Sequence, residues 1–300
     1  MDLISEMLAT PFMQRAIIGS LLLAILLGLF GVFMVPRKLG FMADGVSHAS
    51  LLGIAVGIMF GGAPLLWAAV VAACIGLLLA KIEDNERLTL DSVVGIVLVG
   101  GMSAAVILMA LTPGYKPELI TYLFGSLLSI SWNDIYLLIG FFAVTLVLFK
   151  IQWRTLVLTT VHGELSSVLG LPTSAAKYFL FVGTSVALIA GVKLLGVILI
   201  SALLIIPFSA ANQATRSLRS SLILTECLAV AGTMTGITLS YIYDLPTGPA
   251  IALVFVGLFL GCIVIGRIKS RPVFATDHNS LNPLLKYLLY AQMRLIKCIK

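Results

Sequence analysis

Charge is scarce in this sequence. Asp, Glu, Lys and Arg make up 11% of the 300 residues, against 60% hydrophobic ones, whereas a soluble chain carries about 25% charged residues. That poverty excludes a soluble domain. Cysteine is sparse too: Cys74, Cys227, Cys262 and Cys298 stand singly, with no CxxC pair, which excludes a disulfide framework and a thiolate zinc site. These cysteines read as packing residues. The chain contains no HExxH helix motif and no GxSxG elbow, so the usual routes to a zinc or serine hydrolase are closed. It has no GxxxxGK[ST] phosphate loop either, so it cannot drive ATP hydrolysis itself. Residues 1–10 hold Asp2 and Glu6 without a basic n-region, and no cleavable signal peptide is read there.

What fills the length is apolar runs of membrane-spanning size. The fold class that follows is all-α: a polytopic membrane protein with 8–9 transmembrane helices. Spans are read at about 12–35, 46–61, 64–81, 89–111, 134–150, 176–191, 194–211, 219–243 and 248–266, several of them shorter than the ~20 residues of a perpendicular helix. Of the 19 lysines and arginines, all but Arg15, Lys116 and Lys193 fall in the segments 36–38, 81–87, 150–177 and 216–219 and in the tail from Arg267. Nine spans bring those segments to one side, which the positive-inside rule makes cytoplasmic. The N-terminus is then outside and the C-terminus inside. The net charge of +6 belongs to these loops, so the partner it suggests is membrane lipid and not nucleic acid. Residues 1–269 read as the transmembrane domain and 270–300 as a basic cytoplasmic tail, either an amphipathic helix on the inner leaflet from about Asn282 or a solvated tail.

One stretch, MADGVSHASLLGIAVG at 42–57, breaks the apolar pattern from inside. Asp44 and His48 are four residues apart, which on a helix puts both on one face with Cβ atoms roughly 6 Å apart. An oxygen and a nitrogen so placed can converge on one cation at about 2.0–2.2 Å. Their neighbours Gly45, Ser47, Ala49, Ser50 and Gly53 are the small residues that let helices approach closely in a bilayer, and ionisable groups inside a membrane point to function. Spacing alone leaves a second reading open, in which Asp44 caps the helix and His48 is a packing residue.

Other features are secondary. Residues 117–131 are too short to cross and read as a short outer-side helix. The segment 152–177 is the longest polar interruption, far beyond the roughly 2–8 residues of an ordinary connection. Its core, GELSSVLGLP at 163–172, reads as a short helix stopped by Gly170 and Pro172, either a docking element for a partner or a plain surface loop. Glu226, seven residues after Arg219, is read as neutralised by that arginine or, alternatively, as part of a transport path. Pro207 is expected to kink or end the seventh span. Asp91 favours the positive end of its helix, residues 244–249 form an outer turn, and His162 and His278 are read as solvated.

With these features in place, the sequence resembles the membrane permeases of bacterial ABC importers for zinc, manganese or iron. Four stretches carry the resemblance: residues 42–57, ITYLFG at 120–125, GVILISALLIIP at 196–207 and YDLPTGP at 243–249. The resemblance implies a bacterial plasma-membrane protein working as a homodimer or close heterodimer, with cytoplasmic ATP-binding subunits and an extracytoplasmic metal-binding protein. It implies that the chain is no enzyme, that it holds no permanent cofactor, and that the transported divalent metal is liganded by Asp44 and His48. It also places the ATPase-coupling helix at Glu164, Leu165, Leu169 and Gly170. A single Asp–His pair is too few ligands for a tetrahedral first-row metal, whereas two copies at a dimer axis supply two oxygens and two nitrogens, a set suited to zinc or manganese. The competing reading is a secondary metal transporter without an ATPase. It needs further intramembrane carboxylates for coupling, and Glu226 is the single clear one.

Overall fold

The computed structural model describes residues 9–84, 88–113, 125, 130–161 and 169–269, the last five by their backbone only. All the regular structure in them is helical. The elements are α1 (Pro11–Met34), α2 (Met42–Ala49), α3 (Leu51–Phe60), α4 (Pro64–Ile82), α5 (Leu90–Leu111), α6 (Trp132–Val161), α7 (Thr173–Ala214), α8 (Leu218–Tyr243) and α9 (Thr247–Lys269). Several ends are set by local chemistry. Pro11 and Pro64 open α1 and α4, where a missing N–H costs nothing. Thr89 and Ser217 accept the amide protons of Ser92 and Ser220 as N-caps of α5 and α8, and Asp91 lies in the first turn of α5. Asp244 ends α8 in the left-handed conformation at φ 51°.

Eight helices among the described residues are long and apolar enough to cross a membrane, α2 and α3 counting as one. The longest, α7, is not one rod. Gly196 breaks it with φ 75° and ψ 161°, a conformation essentially confined to glycine. The chain folds back there. Phe30 of α1 lies 2.9 Å from where a Cβ on Gly183 would be, while the neighbouring Gly31 faces the carbonyl of Leu204. Gly183 and Leu204 would stand about 31 Å apart in a straight helix. A Cβ on Gly191 would likewise meet Ile200 at 3.2 Å, although nine helical residues span about 13.5 Å. The legs 173–195 and 197–214 are thus a hairpin, which makes nine apolar helical segments of membrane-spanning size among the described residues. The sequence places this break at 191–194, a few residues early. Pro207 does not end the second leg, which runs to Ala214.

The hairpin is the centre of the bundle, packing against α1, α2, α4, α6, α8 and α9. Phe30, Phe181, Phe208 and Phe255 are fully buried in its core. The lipid-facing size of the exposed apolar side chains, among them Ile96, Leu111, Leu137 and Leu253, suits a bilayer solvent.

Candidate metal path and coupling surface

The Asp–His helix lies inside the bundle because small residues let its neighbours close over it. A Cβ on Gly45 would collide with Val94 of α5, and one on Gly101 of α5 would lie 2.6 Å from Ala49. On the other side α2 packs against α7, and a Cβ on Gly40, just before α2, would lie 3.4 Å from Ile205. Gly101 is halfway along α5, so His48 sits at mid-depth. At Ser50 the helix changes course: α2 ends and α3 begins there, with the Ser50 hydroxyl donating to the Ser47 carbonyl at 2.8 Å. The helical stretch begins at Met42, four residues before the span read from hydropathy. Asp44, Ser47 and His48 depress the hydropathy there, but they are on a helix that faces protein.

The N-cap of α2 is Phe41, and Asp44 is one turn further on, in the third helical position. Among the described residues neither the Asp44 carboxylate nor the His48 ring has a hydrogen-bond partner, and His48 Nδ1 is fully buried without one. Both residues are half-buried. A capping role for Asp44 is therefore absent from this structure. The same four-residue spacing puts an acidic oxygen and an imidazole nitrogen on one stripe of helix, two groups whose chemistry can ligate a divalent cation. No group of three or more His, Cys, Asp or Glu side chains among the described residues could complete a metal site within this chain.

Glu226 is elsewhere. Its carboxylate lies against α1, with Oε1 and Oε2 3.2 and 3.3 Å from where a Cβ on Gly28 would be. Both oxygens are buried with no hydrogen-bond partner among the described residues, so the pairing with Arg219 expected from sequence is not formed. Gly28 lets the carboxylate approach the α1 backbone instead.

The sequence also missed a polar pair at the opposite end of the bundle from the basic loops. Lys193 Nζ donates to Asp134 Oδ2 at 2.7 Å, and Asp134 accepts as well from Ser131 N and Oγ. The signal was present: Lys193 is a cation inside an apolar run, which calls for a partner. An apolar cleft of about 210 Å³ beside it, walled by Leu66, Phe141 and Ile189 among others, holds neither Asp44 nor His48.

At the basic end, Glu164 and Leu165 of the expected coupling helix lie outside the described residues, as do His162, His278, the tail 270–300 and most of the outer-side segment. Leu169 is exposed, and Gly170 has φ 62° with no neighbouring atom near its Cβ position. That left-handed backbone favours glycine. Pro172 then occupies the N-cap position of α7.

Known proteins share this architecture. The sequence profile of the ABC 3 transport family matches residues 9–266. The high-affinity zinc uptake system membrane protein ZnuB of Haemophilus influenzae is 31% identical over 251 residues, 82% of this chain and 94% of that protein. The manganese transport system membrane protein MntC of Halalkalibacterium halodurans is 28% identical over 254 residues, covering 85% and 87%. Among solved structures, PsaBC from Streptococcus pneumoniae in complex with Fab superposes with a TM-score of 0.76 at 26% identity, covering 86% of this chain and 93% of the other.

Proposed function

Because this chain belongs to the ABC 3 transport family, we propose that it is the membrane permease of an ATP-driven importer for a divalent transition metal. Zinc or manganese is the cargo that the named relatives favour, and iron(II) is compatible with the same ligands. The observation that carries this reading is the Asp44–His48 face at mid-depth, with a buried imidazole nitrogen that has no partner among the described residues. A buried polar atom left unpaired is costly, and a dication arriving in the path supplies what Asp44 and His48 lack. Two protein ligands hold such an ion weakly, which suits release. A second permease copy brings the set to four, two oxygens and two nitrogens.

In this reading an extracytoplasmic binding protein delivers the metal, and cytoplasmic ATP-binding subunits dock near residues 164–170. The protein sits in the bacterial plasma membrane with its N-terminus outside and its C-terminus, beyond α9, in the cytoplasm. Supporting that orientation, an alternation of nine spans brings the basic loops of the sequence to one side, which the positive-inside rule makes cytoplasmic.

Proteoliposomes holding the permease, its ATPase and its binding protein test the proposal. Uptake of radioactive zinc or manganese is expected to require ATP and to be indifferent to a protonophore. Uptake without ATP that a protonophore abolishes contradicts it and makes the protein a secondary transporter.

A further inference from the structure

The two helix ends that flank the segment read as the ATPase contact are each held by a polar contact. Before it, Arg37 Nη2 donates to Thr159 Oγ1 at 2.7 Å and to Thr160 Oγ1 at 3.0 Å. These hydroxyls belong to the last turn of α6, where they donate in turn to the carbonyls of Thr155 and Leu156. After it, Lys177 near the start of α7 donates to Asp84 at 2.6 Å. Glu83 stands in the same group: burial raises its pKa, against smaller opposite pulls from Lys177 and Arg37. Burial lowers the Arg37 pKa, and Glu83 partly restores it.

Arg37 is in the turn from which the Asp–His helix hangs, seven residues before Asp44. The turn is stiff. Lys38 holds φ 63°, a region few non-glycine residues occupy, and the Leu39 amide donates to Met34 across it at 3.1 Å. Toward the bundle interior, Phe30 and Phe33 of α1, Phe149 of α6 and Phe179 of α7 form one cluster, with ring centroids 5.0 to 5.9 Å apart. Trp153 adds an edge contact to Phe33. Close-packed rings transmit displacement rather than absorb it, so a movement of the α6–α7 junction has little slack to vanish into.

We infer that Arg37 is a positioning residue for transport: through Thr159 and Thr160 it links the α6–α7 junction, where the ATPase acts, to the turn that aims Asp44 and His48. This rests on the reading of residues 164–170 as the ATPase contact. The guanidinium suits the task because one nitrogen holds two hydroxyls in a fixed plane.

The test is the ratio of metal transported to ATP hydrolysed in the reconstituted full complex. Thr159→Val with Thr160→Val removes both acceptors and keeps the side-chain shape. The ratio is expected to fall about five-fold or more, while ATPase association and hydrolysis persist. Thr159→Ser with Thr160→Ser keeps the hydroxyls and restores the ratio. An unchanged ratio in the valine pair, or an equal fall in the serine pair, overturns the inference. If the valine pair does not accumulate, each single valine variant is expected to lower the ratio about two-fold, and two singles at the wild-type ratio overturn it equally. Failure of the docking reading shows separately: Gly170→Val would then leave ATPase co-purification and hydrolysis intact, whatever the threonine variants do.

Discussion

Ala49 lies against Gly101, with the alanine Cβ 2.6 Å from where a Cβ on that glycine would be. This contact fixes the depth of the neighbouring His48, because Gly101 is the midpoint of a 22-residue helix. It also leaves α2 no room to slide along α5. The Asp–His face is held in place by the close approach of two backbones, and variants can probe that closeness directly.

The first prediction concerns the other end of the same interface. Gly45→Ala brings a methyl into Val94 and displaces α2, at the roughly 1–3 kcal/mol typical of overpacking. Metal uptake and thermal stability should both fall. Adding Val94→Ala removes the colliding methyls and should recover most of each loss, because residues in contact couple. Failure of the second substitution to rescue the first would show that the two helices do not meet there.

The hairpin supplies a second prediction. Gly196 occupies a backbone region that costs other residues about 1–3 kcal/mol, so Gly196→Ala should lower the unfolding temperature in detergent and reduce accumulation in the membrane. Gly257→Ala, at a site with open space around it, is the matched control and should change neither. Equal behaviour of the two variants would contradict the fold-back at Gly196.

Glu226 gives a third. A buried carboxylate without a partner is a cost to the fold, and Glu226→Gln keeps its size while removing the charge. The variant should unfold at the wild-type temperature or above it. A clear drop would mean that the carboxylate is paired in the membrane, and would reopen the role left to it by the sequence.

Much of this architecture was legible in the residues. Apolar runs gave an all-α bundle of eight to nine spans, because hydropathy acts locally and needs no knowledge of partners. The hairpin turn was placed early because residues 194–206 are almost uniformly apolar, and only the backbone conformation of Gly196 marks the reversal. Asp44 and His48 stood out by spacing, whereas the meaning of that spacing needed the bundle: Phe41, and not Asp44, holds the cap position. Glu226 and Arg219 are about two turns apart on one helix, so a pairing was geometrically allowed. The small side of α1 at Gly28 drew the carboxylate inward instead. The Arg37–Thr159 contact joins residues 122 positions apart, beyond the reach of any local pattern.

The central claim is that Asp44 and His48 bind the metal in transit. Asp44→Asn keeps the volume and removes the charge that attracts a dication, and His48→Ala removes a nitrogen ligand. Uptake of radioactive zinc or manganese, at matched expression and with ATPase association verified, tests it directly. Each variant is expected to lose at least about ten-fold in initial rate, the smaller end of what losing even a residue that orients a ligand costs. Wild-type uptake by Asp44→Asn would contradict the assignment.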